Sequence, residues 1–152
     1  MNRTLEHLGK DLLVTPFFRA TDWDTVDLTL HPAGSPYRDE VIDLAVAEGA
    51  ENLQQALVLR LLTPLGSLRD LGHANYGSRL HELIGTENLE AARLQARAFV
   101  IQALAQEKRI QEILALAVAP PTPVTVDRLL ITLQVLAVSG GDPIALGLEV
   151  QL

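Results

Sequence analysis

Two carboxylates held roughly 5–9.5 Å apart across a cleft are all that glycoside hydrolysis demands of a protein. Glu82, Glu87, Glu107 and Glu112 are the candidates in the helical half of this chain. Glu107 and Glu112 fall near a predicted helix end and Glu82 follows His81, but their spacing selects no pair. Solvated or ion-paired surface carboxylates are the reading to be preferred for them. The four histidines, His7, His31, His73 and His81, are scattered without an i, i+4 pair, so no metal site is expected. There is no Gly-x-Gly-x-x-Gly, Walker or Gly-x-Ser-x-Gly pattern, which argues against a nucleotide cradle and a nucleophile elbow. Zero cysteines exclude disulfides, thiolate-bound metal and a thiol nucleophile, and no cofactor is expected. Arg93 and Arg97, one helical turn apart, could grip a partner's carboxylate; a surface pair between Glu90 and Arg93 is the alternative.

The whole chain has 152 residues, enough for one domain with a real core and little more. Its formal charge of −7 makes it a poor phosphate binder, and 4% aromatics give few platforms for base stacking, so no nucleic-acid partner is expected. Residues 1–51 hold 4 basic and 10 acidic side chains, a net −6, while the remainder is close to neutral. That asymmetry predicts a polarised surface and bears on partners. The N-terminal residues lack the apolar core of a signal peptide, and no apolar run is long enough for a membrane helix, so no membrane partner is expected.

The elements that must position these groups are α+β: central helices on a mostly antiparallel sheet, with a C-terminal β-meander. Residues 1–50 read as acidic strands and loops, with short strands at 11–18, 26–30 and 41–47, a turn-rich stretch at 21–25 and a loop at 31–36. Residues 51–109 form the helical core. Leu53, Ala56, Leu57, Arg60 and Leu61 share one helix face, stopped at Thr63-Pro64. Residues 66–77 connect it to two short turns at 78–84, and Thr86 would cap a longer helix. That helix has one apolar stripe through Leu89, Ala92, Ala96 and Val100 and a second through Leu94, Ala98, Ile101 and Ala105. Two stripes predict a central helix covered on both sides. In residues 110–152, strands are expected at 113–118, 126–138 and 144–151. The five-residue turn Ser139-Gly140-Gly141-Asp142-Pro143 predicts antiparallel pairing of the last two, and the N-terminal strands are available to join them. Ile144, Leu146, Leu148 and Val150 alternate with Ala145, Gly147, Glu149 and Gln151, so this last strand can pack one face while leaving a free edge for strand addition. An ordinary edge covered by the N-terminal segment is the alternative.

Within the helical core, three runs stand out: Glu51-Asn52-Leu53-Gln54-Gln55-Ala56-Leu57, Arg60-Leu61-Leu62-Thr63-Pro64-Leu65-Gly66-Ser67-Leu68 and Gly72-His73-Ala74-Asn75-Tyr76-Gly77-Ser78-Arg79-Leu80. Together they resemble the baseplate wedge proteins of contractile-tailed phages, type VI secretion baseplates and related injection particles, sometimes labelled lysozyme-like. The motif positions are Asn52, Thr63, Pro64, Gly66, Tyr76, Gly77 and Arg79. Each also has a local physical reading: Asn52 can satisfy helix-start N–H groups, Pro64 and Gly66 allow a tight reversal, Tyr76 can bury its ring, and Arg79 offers a five-donor fork. The family carries a Glu-Pro-Arg motif after its long helix, and here the stretch reads Glu107-Lys108-Arg109, with the proline replaced.

The resemblance implies a structural protein, not an enzyme. It implies docking on the wedge's helical core bundle through Glu107 and Arg109, and a sheet whose edge at Ile144, Leu146, Gly147, Leu148, Glu149 and Val150 receives strands of the first sheath ring. The implied partners are other wedge subunits and sheath subunits, with tube or spike-hub proteins as further candidates. The implied location is the baseplate, assembled in the bacterial cytoplasm. The alternatives are a peptidoglycan-cleaving tail enzyme and a free regulatory binding module on the same fold.

Overall fold

The computed structural model describes residues 8–14, 30–33 and 41–152. Seven strands and two α-helices follow in the order β1 (Lys10–Leu12), β2 (Leu30–Ala33), β3 (Val41–Leu44), β4 (Val46–Glu48), α1 (Ala50–Leu62), α2 (Glu90–Leu104), β5 (Ile110–Val118), β6 (Arg128–Ala137) and β7 (Ile144–Gln151). Short 3-10 turns at Arg69–Leu71 and Leu80–Leu83 lie between the helices. The fold is α+β, two helices on an antiparallel three-stranded meander of order β5-β6-β7.

The meander exists because its side chains alternate. Along β6, Leu129, Ile131, Leu133, Val135 and Ala137 are buried, and along β7 so are Ile144, Leu146, Leu148 and Val150. Their shared face meets Leu53, Leu57, Val58 and Leu61 of α1 and Ala96, Val100, Ala103 and Leu104 of α2 in one core. Each large aliphatic side chain sealed there contributes about 1.5–3 kcal/mol. β5 breaks the pattern: its register slips between Ile110 and Glu112 and again between Ile113 and Ala115. Such bulges re-aim side chains, and β5 buries little beyond Leu116 as a result.

The N-terminal strands do not extend this sheet. β1 pairs with β4 and β2 with β3 as separate antiparallel pairs. The stretch expected as one strand at 41–47 is therefore two, divided at Ala45, because its halves serve different partners. The expected loop at 31–36 begins as strand, with Pro32 opposite Ile42; a two-stranded ribbon has only edges, where a missing N–H is tolerated. The turn at 21–25, most of the strand expected at 26–30, and the outer half of the one at 11–18 lie outside the described residues.

Gly49, at φ 61 and ψ −126, turns the chain from β4 straight into α1, and its carbonyl accepts the Leu53 N–H at 3.1 Å. Asn52 therefore does not cap the helix. α2 starts at Glu90 with Leu89 as its N-cap residue, and the Thr86 hydroxyl instead donates to the Leu83 carbonyl at 2.7 Å. The second stripe of α2 is not covered: Leu94 and Ile101 are 61% and 45% exposed, and Ala98 and Ala105 are exposed too. Only one side of this helix faces the core.

Candidate functional site

Two of the sequence runs singled out above meet in space. The Ser78 N–H donates to the Thr63 carbonyl at 2.8 Å and the Leu65 N–H to the Ser78 carbonyl at 2.8 Å, forming a parallel bridge between Pro64 and Ser78. The Gly66 N–H adds a bond to the Tyr76 carbonyl at 3.3 Å, and the buried Ser78 hydroxyl donates to the Leu61 carbonyl. Gly77 sits at φ +109, where a Cβ would lie 2.5 Å from the Thr63 carbonyl oxygen and 2.8 Å from that of Pro64. A side chain here would pry the two runs apart, so glycine is required by backbone contact as well as by φ. Asn52 of the remaining run reaches the N-terminal segment instead, its side-chain amide donating to the Leu8 carbonyl at 2.8 Å.

Beneath this loop lies a cluster built on one carboxylate. Glu107 follows α2 in a turn closed by Glu107 N–H to the Leu104 carbonyl and Ile110 N–H to the Glu107 carbonyl. Arg109 grips it with two prongs, Nε to Oε1 at 2.8 Å and Nη2 to Oε2 at 3.1 Å, and sends Nη1 to the Leu8 carbonyl at 3.1 Å. Arg60 of α1 approaches the same carboxylate from 3.5 Å and lies over the Tyr76 ring, 4.5 Å from its centroid. The side chains of Glu107, Arg60 and Arg109 are 8%, 12% and 27% exposed. Burial pushes the Glu107 carboxyl up, but the Arg109 hydrogen bonds and the two guanidinium charges outweigh it and hold the group below its ordinary value. Burial raises the Tyr76 hydroxyl, partly offset by Arg60.

A similar set repeats at the surface. Arg79 makes a bidentate pair with Glu82, both contacts 2.7 Å, and stacks on Phe99 at 4.5 Å. The Glu82 carboxyl is lowered, chiefly by hydrogen bonding from Arg79. Glu87 and Glu112 are exposed. His81 Nδ1 lies 3.2 Å from the Ser78 carbonyl oxygen, and His73 lines a cleft beside Arg60. Among the described residues, no group of three or more His, Asp or Glu is placed to hold a metal ion. Arg93 turns to Asn88, donating to its backbone and side-chain oxygens at 3.0 and 3.1 Å, rather than pairing with Glu90 or joining Arg97 in a grip.

At the far end of the fold, β7 borders the meander, and among the described residues no strand pairs with its outer side. The direction of its peptide groups follows from the register. The Ala119 N–H donates to the Leu130 carbonyl, so even-numbered residues of β6 point to β5 and odd-numbered ones to β7. Odd residues of β6 oppose even residues of β7, which leaves Ala145, Gly147, Glu149 and Gln151 pointing outward. The Gln54 side-chain amide confirms that parity by donating to the Ala145 carbonyl at 2.7 Å. On the sheet face turned away from the helices, Ala115, Thr132, Gln134, Ala145 and Gly147 floor a shallow hollow that reaches this edge.

A crystal structure from Geobacter sulfurreducens, of a protein provisionally described as a tail lysozyme, superimposes with a TM-score of 0.56 over 67% of this chain and 89% of that one, at 21% identity. The likeness is one of fold. No family model and no curated protein matches the chain. No helix among the described residues is long and apolar enough to cross a membrane.

The residue that sequence reasoning missed is Arg60. Its signal was visible: it is the one charged side chain on the otherwise apolar face of α1. A cation at such a position needs a buried partner.

Proposed function

We propose that the protein is a structural wedge component in the baseplate of a contractile tail or injection system, and that strands of first-ring sheath subunits add to β7. One observation carries this reading: four consecutive odd positions of an edge strand direct N–H and C=O groups outward, and among the described residues no strand lies beside them. Strand addition uses such main-chain groups for affinity and little side-chain identity. The similar fold of a protein described as belonging to a tail supports the setting. In the same reading Arg109, the most exposed member of the buried cluster, meets the wedge's helical bundle while Glu107 aims it. The reading is not hydrolytic. A glycosidase acid needs a raised carboxyl pKa, and Glu82 and Glu107 are both lowered.

Proline tests the edge directly. Gly147 and Glu149 share parity, so proline at either removes an outward donor and leaves the main-chain bonds to β6 intact, although Glu149→Pro also deletes the carboxylate that Arg128 of β6 grips. Gly147→Pro and Glu149→Pro should each block sheath polymerisation on assembled baseplates while wedge incorporation survives. Gly147→Ala, where a Cβ meets nothing within 4 Å, should polymerise normally. Full-length sheath on both folded proline variants would refute strand addition at β7. Turnover of purified cell wall, abolished by Glu82→Gln or Glu87→Gln, would move the protein to the hydrolytic class.

A further inference from the structure

Two guanidinium groups share one carboxylate in the cluster below the motif loop, and they share it unequally. Arg109 takes both oxygens of Glu107 at hydrogen-bond distance, while Arg60 reaches one of them only at 3.5 Å. Arg60 Nε is buried without an acceptor, and its Nη1 has none among the described residues. Asp11, the other carboxylate near enough to act on Tyr76, is exposed and accepts the N–H of Leu12 instead. Among the described residues the cluster therefore carries one more positive charge than negative, in a chain whose net charge is −7.

That charge does not lie against a sealed wall. Arg60 lines an open cleft of about 310 Å³ together with His73, Asn75, Tyr76 and Gln106. Every one of these side chains can donate a hydrogen bond, and among the described residues no carboxylate lines the cleft. A guanidinium with free N–H groups, flanked by neutral donors, is complementary to a planar anion with two acceptor oxygens. A phosphate dianion would want more than one free cation, and the acidic chain around the cleft disfavours it. The cleft is open, so a small free carboxylate binds there only weakly, and one carried on a docked partner, whose freedom is already lost, binds more tightly.

We propose that this cleft is a receptor for a carboxylate, presented as an Asp or Glu side chain by a protein partner. The partner's carboxylate supplies an acceptor for Arg60 Nη1, the buried Nε staying out of its reach, and His73 and Gln106 at the rim fix its orientation. The site adds a contact to the wedge-docking reading but lies apart from β7, and the test below uses the full chain alone. It therefore stands or falls independently of sheath assembly.

The measurement is an NMR titration of the arginine Nε–H resonances with blocked glutamate (N-acetyl, C-amide), with blocked glutamine as the matched neutral probe. Blocked glutamate should give a saturable shift at Arg60 and leave Arg79 still. Gln106→Ala and His73→Ala, both on the cleft rim, should each weaken binding by up to about 10-fold, the scale of one hydrogen bond to a charged group. Arg60→Lys, which keeps the charge but loses the fork, should weaken it further. No saturable shift in the folded wild-type chain, or equal shifts with blocked glutamine, would overturn the site. Inorganic phosphate competing better than blocked glutamate would overturn the carboxylate assignment. Tighter binding of free succinate than of blocked glutamate would overturn the partner side chain as its source.

Discussion

Arg60 and Arg79 each lie 4.5 Å from the centroid of an aromatic ring, and each faces a glutamate. By hydrogen-bond geometry Arg79 has the better arrangement, two contacts of 2.7 Å to Glu82 against a single 3.5 Å approach to Glu107. By environment the order reverses. The Arg79 and Glu82 side chains are 42% and 41% exposed, whereas those of Arg60 and Glu107 are 12% and 8%. Water and salt replace most of what an exposed pair loses, while a buried charge that loses its partner keeps its desolvation penalty and has nothing to offset it. The poorer geometry therefore has the larger consequence.

Removing the shared carboxylate should separate the two regions most sharply. Glu107→Gln leaves Arg60 and Arg109 side by side with no anion between them, and loosens the guanidinium of Arg109 that donates to the Leu8 carbonyl. We expect a loss of about 3 kcal/mol in chemical denaturation, the scale of breaking a buried pair by deleting one member. Glu82→Gln should cost far less in the same experiment. Equal losses would mean that burial does not distinguish the two clusters.

Acid sharpens the same contrast. The Glu107 carboxyl lies below its ordinary value of 4.5 in the folded chain, so the unfolded chain binds its proton first as the pH falls. The stabilisation from Glu107 is then complete above that unfolded value and is lost as the pH drops through the lower, folded one. The stability difference between wild type and Glu107→Gln should accordingly be constant near neutrality and shrink below about pH 4.5. A difference that persists undiminished to pH 2 would show that Glu107 acts through packing rather than charge.

The contrast also marks what is legible in a sequence. The β6–β7 hairpin is readable because strand alternation and turn chemistry are local: Leu129 to Ala137 and Ile144 to Val150 alternate whatever lies around them. The split of the 41–47 stretch into β3 and β4 is not, since it depends on which distant strand each half meets. The exposed stripe of α2 misleads for a related reason. Periodicity shows that Leu94 and Ile101 lie on one face, but a single chain does not record whether that face is covered by its own elements. Asn52 looks like a helix cap by position and serves instead as a strut to Leu8, a contact across 44 residues. The shared glutamate needs α1 and the α2–β5 turn in place before its two arginines meet, and the 72–79 loop before the Tyr76 ring backs Arg60. Only Arg60, a cation on an apolar helix face, hints at it beforehand.

The smallest expected effect belongs to Arg79. Arg79→Ala removes a bidentate ion pair and a stacked cation, both at the surface. In low salt it should lower the denaturation midpoint slightly, by much less than Glu107→Gln. In about 1 M salt, where the Debye length is roughly 3 Å, the ionic part of that loss should nearly vanish. What remains is the contact between the guanidinium stem and Phe99, which salt does not screen. Phe99→Leu isolates that remainder: it keeps an apolar neighbour but removes the ring face that the cation prefers. If Arg79→Ala instead rivals Glu107→Gln and resists salt, the exposed cluster is braced by the loop that carries it. The bonds from Ser78 to Thr63 and Leu61 would then be the structure that Arg79 supports.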